Sequence, residues 1–318
     1  MRDTAEFAAF RALSARLGAD PLQVQGPGGN TSIKDGDTMW IKASGTELAE
    51  AQSRDIFVAV DLPRARAEAD GAGDGTCRAA LKDADGTLRP SIETTFHAIL
   101  GARVVAHTHS VATLTHAISA AGRAAAREKL ADMPVAFVPY AKPGLPLTRE
   151  IAARATSATR VIVLENHGLV CAGGAVETVS DLLAEVEARL DLPAAETAPP
   201  PTGPAPEGFD WAAESWIVTD PRAAALARAG SYWPDHVVFL GPALPASRAD
   251  APAYIVEGAG VAVRRDATPS QRAMLRCLSD VLRRLPPGWE PLPIGPEAEA
   301  ALLDWDAEKY RQAMAARS

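Results

Sequence analysis

The sequence predicts a layered α/β protein with a smaller α/β unit at its C-terminal end. Segments with helical spacing of apolar residues alternate with short, β-branched apolar runs, a pattern typical of α/β domains. Hydrophobic residues make up 47% of the 318 residues and aromatic residues only 5%, which suits a helix-rich fold with a substantial core. Residues 193–208 contain six prolines, so we predict a linker there, between a domain over 1–192 and a unit over 209–318.

The first elements follow from the spacing of apolar residues. We predict a helix over 4–17, where Phe7, Phe10 and Leu13 recur at helical spacing, and then a glycine-rich turn, QGPGGNTSIK. The strand TMWIKAS comes next. The segment over 66–89 is rich in Ala, Asp and Gly, and we expect it to be a mobile loop.

The later elements alternate in the same way. Ser91 is predicted to cap a helix with Ile92 and Phe96 on its apolar face. The elements that follow are a strand over 102–105, a helix from about Ser110, the strand VAFVPY, a helix from about Thr148, the strand RVIVLENHG and a helix over about 175–190. In the C-terminal unit, Asp220-Pro221 and Thr268-Pro269-Ser270-Gln271 predict helix starts, the second with a capping box.

Charge and composition exclude several classes of protein. The formal net charge of −8 argues against a nucleic-acid-binding protein, which needs an excess of Lys and Arg. No run approaches the ~18 apolar residues that cross a bilayer, and the polar start MRDTAEFAAF does not resemble a signal peptide. The chain has three cysteines, Cys77, Cys171 and Cys277, which lie far apart in the sequence. Their low, odd number predicts reduced thiols in a cytoplasmic protein. Together with the charge and the apolar runs, this predicts a protein without nucleic-acid or membrane partners.

Three histidines at strand ends are candidates for a metal site. Side chains alternate along a strand, so the sequence VVAHTH places His107 and His109 on one face. His167 follows another apolar run, VIVLE. Three imidazoles with an open or carboxylate-filled fourth position have the composition of a catalytic zinc site. Structural and surface histidines are also common, and we interpret His116 and His236 in that way.

Glu93 is the candidate carboxylate for the same site. In the first turn of its predicted helix, a carboxylate interacts favourably with the helix dipole, which is an adequate structural explanation. The functional alternative is a general base, or a removable fourth metal ligand, beside the histidines. His97 lies one turn further on the same helix face and is a candidate to orient Glu93.

Two loops have the composition of anion sites. Glycines in Gly26–Ser32 allow successive backbone N–H groups to converge on an anion, and Asn and Ser/Thr side chains add donors. The sequence KASGT ends the next strand in the same style. The candidate phosphate-binding residues of these loops are Gly29, Asn30, Thr31, Ser44 and Gly45, accompanied by Lys34 and Lys42.

The ordered segments GGNTSIK, KASGT, SIETTFH, VVAHTHS, FVPYAKPG and ENHGLV resemble the class II aldolase/adducin family over roughly residues 5–190. The nearest branch is the bacterial rhamnulose-phosphate-aldolase-like group, some of whose members carry a fused dehydrogenase for which we find no counterpart here. WPDHVVFLGP and GVAVRRDATPSQ resemble the extension after the aldolase unit in that group. The resemblance implies an α/β/α domain with a central mixed or antiparallel sheet, in a homo-oligomer, with a tetramer favoured.

The resemblance also implies roles for individual residues. His107, His109 and His167 match zinc ligands, with one Zn²⁺ or another divalent metal in each subunit. Glu93 matches an acid/base that also approaches the metal. Tyr140 matches a tyrosine that reaches into a neighbouring subunit's site as proton donor. The positions that match phosphate-binding residues are Asn30, Ser44, Gly45 and Ser91. Sugar-phosphate aldolases of the family often carry two serines before the catalytic Glu, whereas Ile92 replaces the second serine here.

The implied activity is that of a zinc-dependent lyase. It cleaves a ketose 1-phosphate, a small-molecule sugar phosphate, to dihydroxyacetone phosphate and an aldehyde through an enediolate, whose negative charge Zn²⁺ stabilises as a Lewis acid. Three alternatives on the same fold are a sugar-phosphate epimerase, a dehydratase and a 3-oxo acid phosphate decarboxylase. A non-catalytic, adducin-like interaction module is a further alternative, although such a module need not keep the three histidines, Glu93 and Tyr140.

Overall fold

A mixed seven-stranded sheet forms the centre of the protein in the computed structural model, which describes residues 2–83, 86–247 and 250–315. Its strands are β1 (Asn30–Asp35), β2 (Thr38–Lys42), β3 (Phe57–Asp61), β4 (Val104–Thr108), β5 (Val135–Val138), β6 (Val161–Leu164) and β7 (Gly168–Gly173). They lie in the order β3-β2-β1-β4-β7-β6-β5. Neighbours are antiparallel except for the parallel pair β5 and β6. The predicted α/β fold with a mixed sheet is therefore confirmed.

Helices cover both faces of this sheet. The helices of this part of the chain are α1 (Ala5–Ala19), α2 (Leu62–Ala69), α3 (Thr94–Ile99), α4 (Val111–Ala117), α5 (Ala120–Lys129), α6 (Leu145–Arg154) and α7 (Val176–Leu190). Each face of the sheet has its own apolar core, because side chains alternate between the two faces along β4. Val104 packs with the apolar residues of α1 and α7, whereas Val105 packs with Phe96 of α3 and Ile151 of α6. The result is a three-layered α/β/α arrangement.

Four local predictions differ from the structure. β1 overlaps the segment predicted as a turn. Its polar residues Asn30 and Ser32 face other polar groups, and Ile33 is its one large apolar residue, so the strand lacks the apolar pattern that would predict it. Helix α2 overlaps the predicted loop over 66–89, whose residues 84 and 85 lie outside the described residues. The N-cap of α3 is Glu93 rather than Ser91, and α6 begins three residues before Thr148.

The C-terminal part of the chain forms a second, antiparallel sheet with its own helices. Its strands, in the order β8-β10-β9, are β8 (Phe209–Trp211), β9 (Ala253–Val256) and β10 (Gly260–Arg264). The helices are α8 (Trp216–Thr219), α9 (Pro221–Ala229), α10 (Pro234–Leu240), α11 (Pro269–Leu282), α12 (Pro296–Leu303) and α13 (Asp306–Ala315). Asp220 caps α9, and Thr268 forms a capping box with Gln271 at α11, so both predicted helix starts are confirmed.

The second sheet and its helices share a core with the first part of the chain. Val111 and Leu114 of α4 belong to the same cluster of buried apolar side chains as Trp233, next to α10, and Met274 of α11. The proline-rich segment also makes contacts, since the backbone N–H of Ala195 donates to the carbonyl of Arg283 at 2.8 Å. The domain boundary at 193–208 stays a prediction, with close packing across it.

Two further findings bear on the class of protein. Cys77, Cys171 and Cys277 are all buried and unpaired. Within the ranges that the structure describes, no helix is both long and apolar enough to cross a bilayer.

Substitution of a half-buried glutamate on α7 is expected to give a pH-dependent gain in stability. Burial raises the pKa of Glu187 to about 7 from its ordinary value of 4.5, so the ionised side chain destabilises the folded state above that pH. Between these two pH values the folded chain holds a proton that the unfolded chain has released, and stability falls as the pH rises. Glu187→Gln should therefore raise the free energy of unfolding at pH 8 by about 1–2 kcal/mol and have little effect at pH 5. Urea unfolding at both pH values tests this. The exposed neighbour Glu185 provides the control Glu185→Gln, and an equal gain at both pH values would contradict the argument.

Candidate metal centre and anion-binding cleft

Strand pairing brings the three candidate metal ligands together. His107 lies in β4, His109 follows the end of that strand, and His167 lies in the turn between β6 and β7. The ring centroids of His107 are 5.0 Å from His109 and 4.9 Å from His167. One nitrogen from each of the three buried rings lies within 4.8 Å of the others. This spacing allows the three side chains to hold one metal ion.

The turn that bears His167 is held by the C-terminal part of the chain. Asn166 has φ of +54°, a left-handed conformation that Asn tolerates better than most residues. Its side-chain amide donates hydrogen bonds to the carbonyl oxygens of Tyr232 at 3.0 Å and Leu292 at 2.9 Å. The position of His167 therefore depends on residues beyond the predicted linker.

Glu93 lies between two of the imidazoles. Its carboxylate oxygens are 3.5 Å from Nε2 of His107 and 3.4 Å from Nε2 of His167. The side-chain amide of Asn30 donates to the same carboxylate at 2.7 Å. Asn30 is the strand partner of His107 in the pairing of β1 with β4. The pairing of these strands thus places the amide beside the histidines and orients the carboxylate toward them.

His97 acts on Glu93 through Asn30 rather than directly. Its Nε2 lies 2.5 Å from Oδ1 of Asn30, and its Nδ1 lies 2.8 Å from the hydroxyl of Ser32. An amide whose oxygen is bonded to His97 must direct its NH₂ group toward Glu93. The predicted orienting role is therefore possible only through this intervening amide.

Burial sets the charge state of the group. It lowers the pKa of His167 to about 3, and it also lowers the pKa of His107, so both rings are neutral near pH 7. Burial alone would raise the pKa of Glu93, but His107 and His167, in the states in which either ring carries a proton, and the hydrogen bond from Asn30 bring it below its ordinary value. Neutral imidazoles beside an ionised carboxylate are the protonation states that ligate a divalent cation.

Two buried atoms support a metal at this position. Nε2 of His107 and Oε1 of Glu93 are buried without a hydrogen-bond partner among the residues that the structure describes. Buried polar atoms without a partner are costly, and a cation between them would satisfy both. His107 also presents its Nδ1 to the carbonyl oxygen of Leu169 at 3.0 Å, which leaves Nε2 for the metal.

The predicted anion loops border the same cleft. Its lining includes the predicted residues Gly29, Asn30, Ser44, Gly45, Ser91, Glu93, His109 and His167, together with Lys42, Ile92, Asp235 and Arg311. Gly29 has φ of +55°, and a Cβ there would lie 2.7 Å from the carbonyl oxygen of His107. A glycine is therefore needed for the first loop to approach β4 so closely.

Two of the predicted anion-binding residues lie elsewhere. The hydroxyl of Thr31 is 2.7 Å from that of Ser14 on α1, because alternation along β1 turns Thr31 away from Asn30. The ammonium group of Lys34 donates to the carbonyl oxygens of Leu100 and Ala102, away from the cleft. The structure therefore places neither of these side chains in the cleft.

Lys42 connects the two anion loops. Its ammonium group donates to the carbonyl oxygens of Pro27 at 2.8 Å and Thr46 at 2.6 Å. Burial, and then the neighbouring Arg311, lower the pKa of Lys42 to about 7. An anion in the cleft would favour the charged form of this lysine.

Tyr140 and the remaining histidines lie outside the described cleft. The hydroxyl of Tyr140 is buried without a hydrogen-bond partner among the described residues, and burial raises its pKa to about 12, with a further contribution from Glu299. Its predicted role in a neighbouring subunit stays a prediction. His116 packs against Trp289, and His236 packs against Trp233, so both occupy the buried structural positions expected for them.

Sequence reasoning missed two charged residues of the site. Oδ2 of Asp235 lies 3.1 Å from Nδ1 of His109, and Nη2 of Arg311 lies 2.6 Å from the same oxygen. Burial would raise the pKa of Asp235, but Arg311 and His109 hold it well below its ordinary value. The available signal in the sequence is the acidic residue of WPDHVV.

The fold and the buried three-histidine group define a class of α/β protein in which three imidazoles that could hold a metal ion lie beside a cleft. A family model described as the class II aldolase and adducin N-terminal domain matches residues 10–192. That match covers more than half of the chain, which therefore belongs to the class II aldolase/adducin family, as the sequence predicted. The rhamnulose-phosphate-aldolase-like branch within the family stays a prediction.

Individual relatives match a part of the chain. The N-terminal class II aldolase domain of a conserved protein from Thermoplasma acidophilum is 26% identical with a TM-score of 0.52, over 59% of this chain and 92% of that one. A protein of Bacillus subtilis (strain 168) named uncharacterized oxidoreductase YuxG is 30% identical over 181 residues, or 51% of this chain. The aligned region spans only 26% of YuxG.

Proposed function

We propose that this chain is a zinc-dependent lyase that cleaves a ketose 1-phosphate to dihydroxyacetone phosphate and an aldehyde. The placement of Glu93 is the observation that supports this most. Its carboxylate lies 3.4–3.5 Å from two neutral imidazoles and opens onto a cleft bordered by Asn30, Ser44 and Ser91. A base beside a cation site and an anion site is the arrangement that cleavage next to a carbonyl requires.

The residues divide the reaction between them. The bond between C3 and C4 breaks, its electron pair stays on the triose phosphate fragment as an enediolate, and the C4 hydroxyl loses its proton as the aldehyde carbonyl forms. Glu93 delivers a proton to C3 in cleavage and removes it in condensation. Tyr140 of a neighbouring subunit is our candidate for the proton of the C4 oxygen. A divalent cation held by His107, His109 and His167 supplies Lewis-acid stabilisation of the negative charge.

The substrate's phosphate is assigned to the cleft beside this centre. The donors there are the Asn30 amide, the Ser44 and Ser91 hydroxyls and backbone N–H groups of the glycine loops. Asn30 already donates to Ser91 at 3.2 Å and to Glu93 at 2.7 Å. Because the Asn30 amide contacts both Ser91, a candidate phosphate-binding residue, and Glu93, binding of the phosphate and orientation of Glu93 are expected to be coupled.

A panel of substrates tests the proposed activity. We would assay the zinc-loaded protein with ketose 1-phosphates of different stereochemistry and with 3-oxo acid phosphates, and measure triose phosphate and CO₂ release separately. Zinc-dependent formation of dihydroxyacetone phosphate is the expected result. Release of CO₂ alone would identify a decarboxylase, and no turnover with any substrate by a zinc-loaded protein would contradict the proposal.

Ile92 predicts that phosphate recognition can be improved. It lines the cleft where many sugar-phosphate aldolases carry a second serine. Ile92→Ser adds a hydroxyl, and one more hydrogen bond to a charged group is worth ~1.5 kcal/mol. We therefore expect KM for the phosphorylated substrate to fall up to about tenfold, with kcat unchanged. Ile92→Ala is the control for loss of bulk; if it lowers KM equally, the hydroxyl is not responsible.

A further inference from the structure

A carboxylate from the C-terminal part of the chain lies against one of the three candidate metal ligands. Asp235 at the start of α10 is 1% exposed, and its Oδ2 lies 3.1 Å from Nδ1 of His109. An imidazole has two nitrogens, so a ring that turns Nδ1 toward this carboxylate keeps Nε2 available to a metal, and Nδ1 of His109 has no hydrogen-bond partner elsewhere among the described residues. Metal-ligating histidines commonly present their second nitrogen to a carboxylate, which fixes the ring orientation and raises ligand basicity.

Asp235 is itself held from a different helix. Nη2 of Arg311 on α13 lies 2.6 Å from the Oδ2 atom that faces His109, and Nη1 of Arg311 lies 3.2 Å from Glu308. All three side chains are buried. With two carboxylates and one guanidinium, the cluster has one negative charge in excess when both acids are ionised. A divalent cation on the histidines would offset that charge, whereas a purely structural Arg–Asp pair needs no imidazole beside it.

The first anion loop leaves space for this contact. A Cβ on Gly28 would lie 2.8 Å from both Oδ2 of Asp235 and Nδ1 of His109. This is closer than real Cβ atoms approach such atoms, and the backbone carbonyl oxygen of Gln25 would lie at 2.9 Å, so the loop or the contact between the two side chains would have to shift. The backbone of the loop is thus shaped around the contact between the aspartate and the histidine.

We propose that Asp235, fixed by Arg311, is a positioning residue that holds the His109 ring as a metal ligand. The inference rests on the proposed metal-dependent function but concerns a part of the chain outside the matched family domain, which ends at residue 192. It makes the C-terminal part of the chain a component of the metal centre.

The test measures metal affinity directly. Zn²⁺ affinity would be determined by competition with a chromophoric chelator, and the visible absorption of bound Co²⁺ would report ligand geometry. We expect Asp235→Asn to weaken Zn²⁺ binding ~10–100-fold and to alter the Co²⁺ spectrum. The matched control is Asp280→Asn, which removes another buried carboxylate paired with arginines on α11, remote from the histidines. It should keep the wild-type affinity.

A second variant covers the case in which Asp235→Asn does not fold. Gly28→Ala keeps both side chains but places a methyl group against their contact, and it should also weaken Zn²⁺ binding. Circular dichroism identifies the variants that are folded. Wild-type Zn²⁺ affinity in a folded Asp235→Asn variant would overturn the inference. If Asp235→Asn does not fold, wild-type Zn²⁺ affinity in Gly28→Ala would overturn it instead. Either result would leave the proposed function intact. A wild-type protein without Zn²⁺ affinity would instead defeat the proposed function.

Discussion

Glu93→Gln is expected to bind Zn²⁺ and to lose turnover by ~10²–10⁴-fold, the usual contribution of general acid–base catalysis. Glutamine has the same shape as glutamate, and its carbonyl oxygen can still accept the hydrogen bond that Asn30 now donates at 2.7 Å. It cannot take a proton from carbon or return one. The substitution therefore removes the proton transfer while it leaves the three histidines in place.

Two measurements separate this loss from a general defect. The first is kcat for cleavage, and the second is exchange of the carbon-bound proton of dihydroxyacetone phosphate with D₂O, which follows the step assigned to Glu93 alone. Glu165→Gln is the control, because Glu165 lies two residues before His167 but faces Arg123 at 3.3 Å and Arg127 at 3.5 Å. Full activity and full exchange in Glu93→Gln would eliminate the assignment.

The grouping of the three histidines could be predicted because its signals are local. The run VVAHTH is β-branched and apolar, and the two-residue period of a strand is enough to place His107 and His109 on one face. The observed strand is Val104–Thr108, two residues later than predicted, and the side-chain alternation is unaffected by where the strand ends. His167 could be predicted in the same way, from the apolar run before it.

The errors occur where tertiary contacts replace the apolar pattern. In β1, the Asn30 side chain has hydrogen bonds with Glu93 and His97, and the Ser32 side chain has one with His97. The strand therefore has little of the hydrophobic alternation from which a strand is predicted. The partner of His109 lies on α10, far along the chain, and no local pattern connects the two. Buried polar residues whose partners are distant in sequence are therefore what sequence reasoning of this kind misses.

The shared core shows why the C-terminal part of the chain could not be assigned a role from sequence. The six prolines over 193–208 predict a separate unit, yet Val111 of α4 packs in one cluster with Trp233 and Met274. That packing brings the start of α10, and with it Asp235, to the metal site. An apolar helix such as α4 does not specify from its own sequence which element will cover it.

His107→Ala is expected to abolish stoichiometric zinc binding and, with it, the proposed activity. His107 is fully buried, it pairs with Asn30 across the sheet, and its Nε2 lies 3.5 Å from Glu93, so no other side chain can take its place without moving β4. Metal analysis of the purified proteins should give about one zinc per wild-type chain and almost none in the variant.

Thermal stability gives an independent measure of the same loss. A ligand at 1,000 times its Kd stabilises the folded state by ~4.1 kcal/mol, so added Zn²⁺ should raise the Tm of the wild-type protein and leave that of His107→Ala unchanged. His116→Ala is the matched control: His116 is equally buried but packs against Trp289, so its loss should lower Tm without removing the response to Zn²⁺. Stoichiometric zinc in His107→Ala would refute the ligand set, because two imidazoles and a carboxylate would then be sufficient.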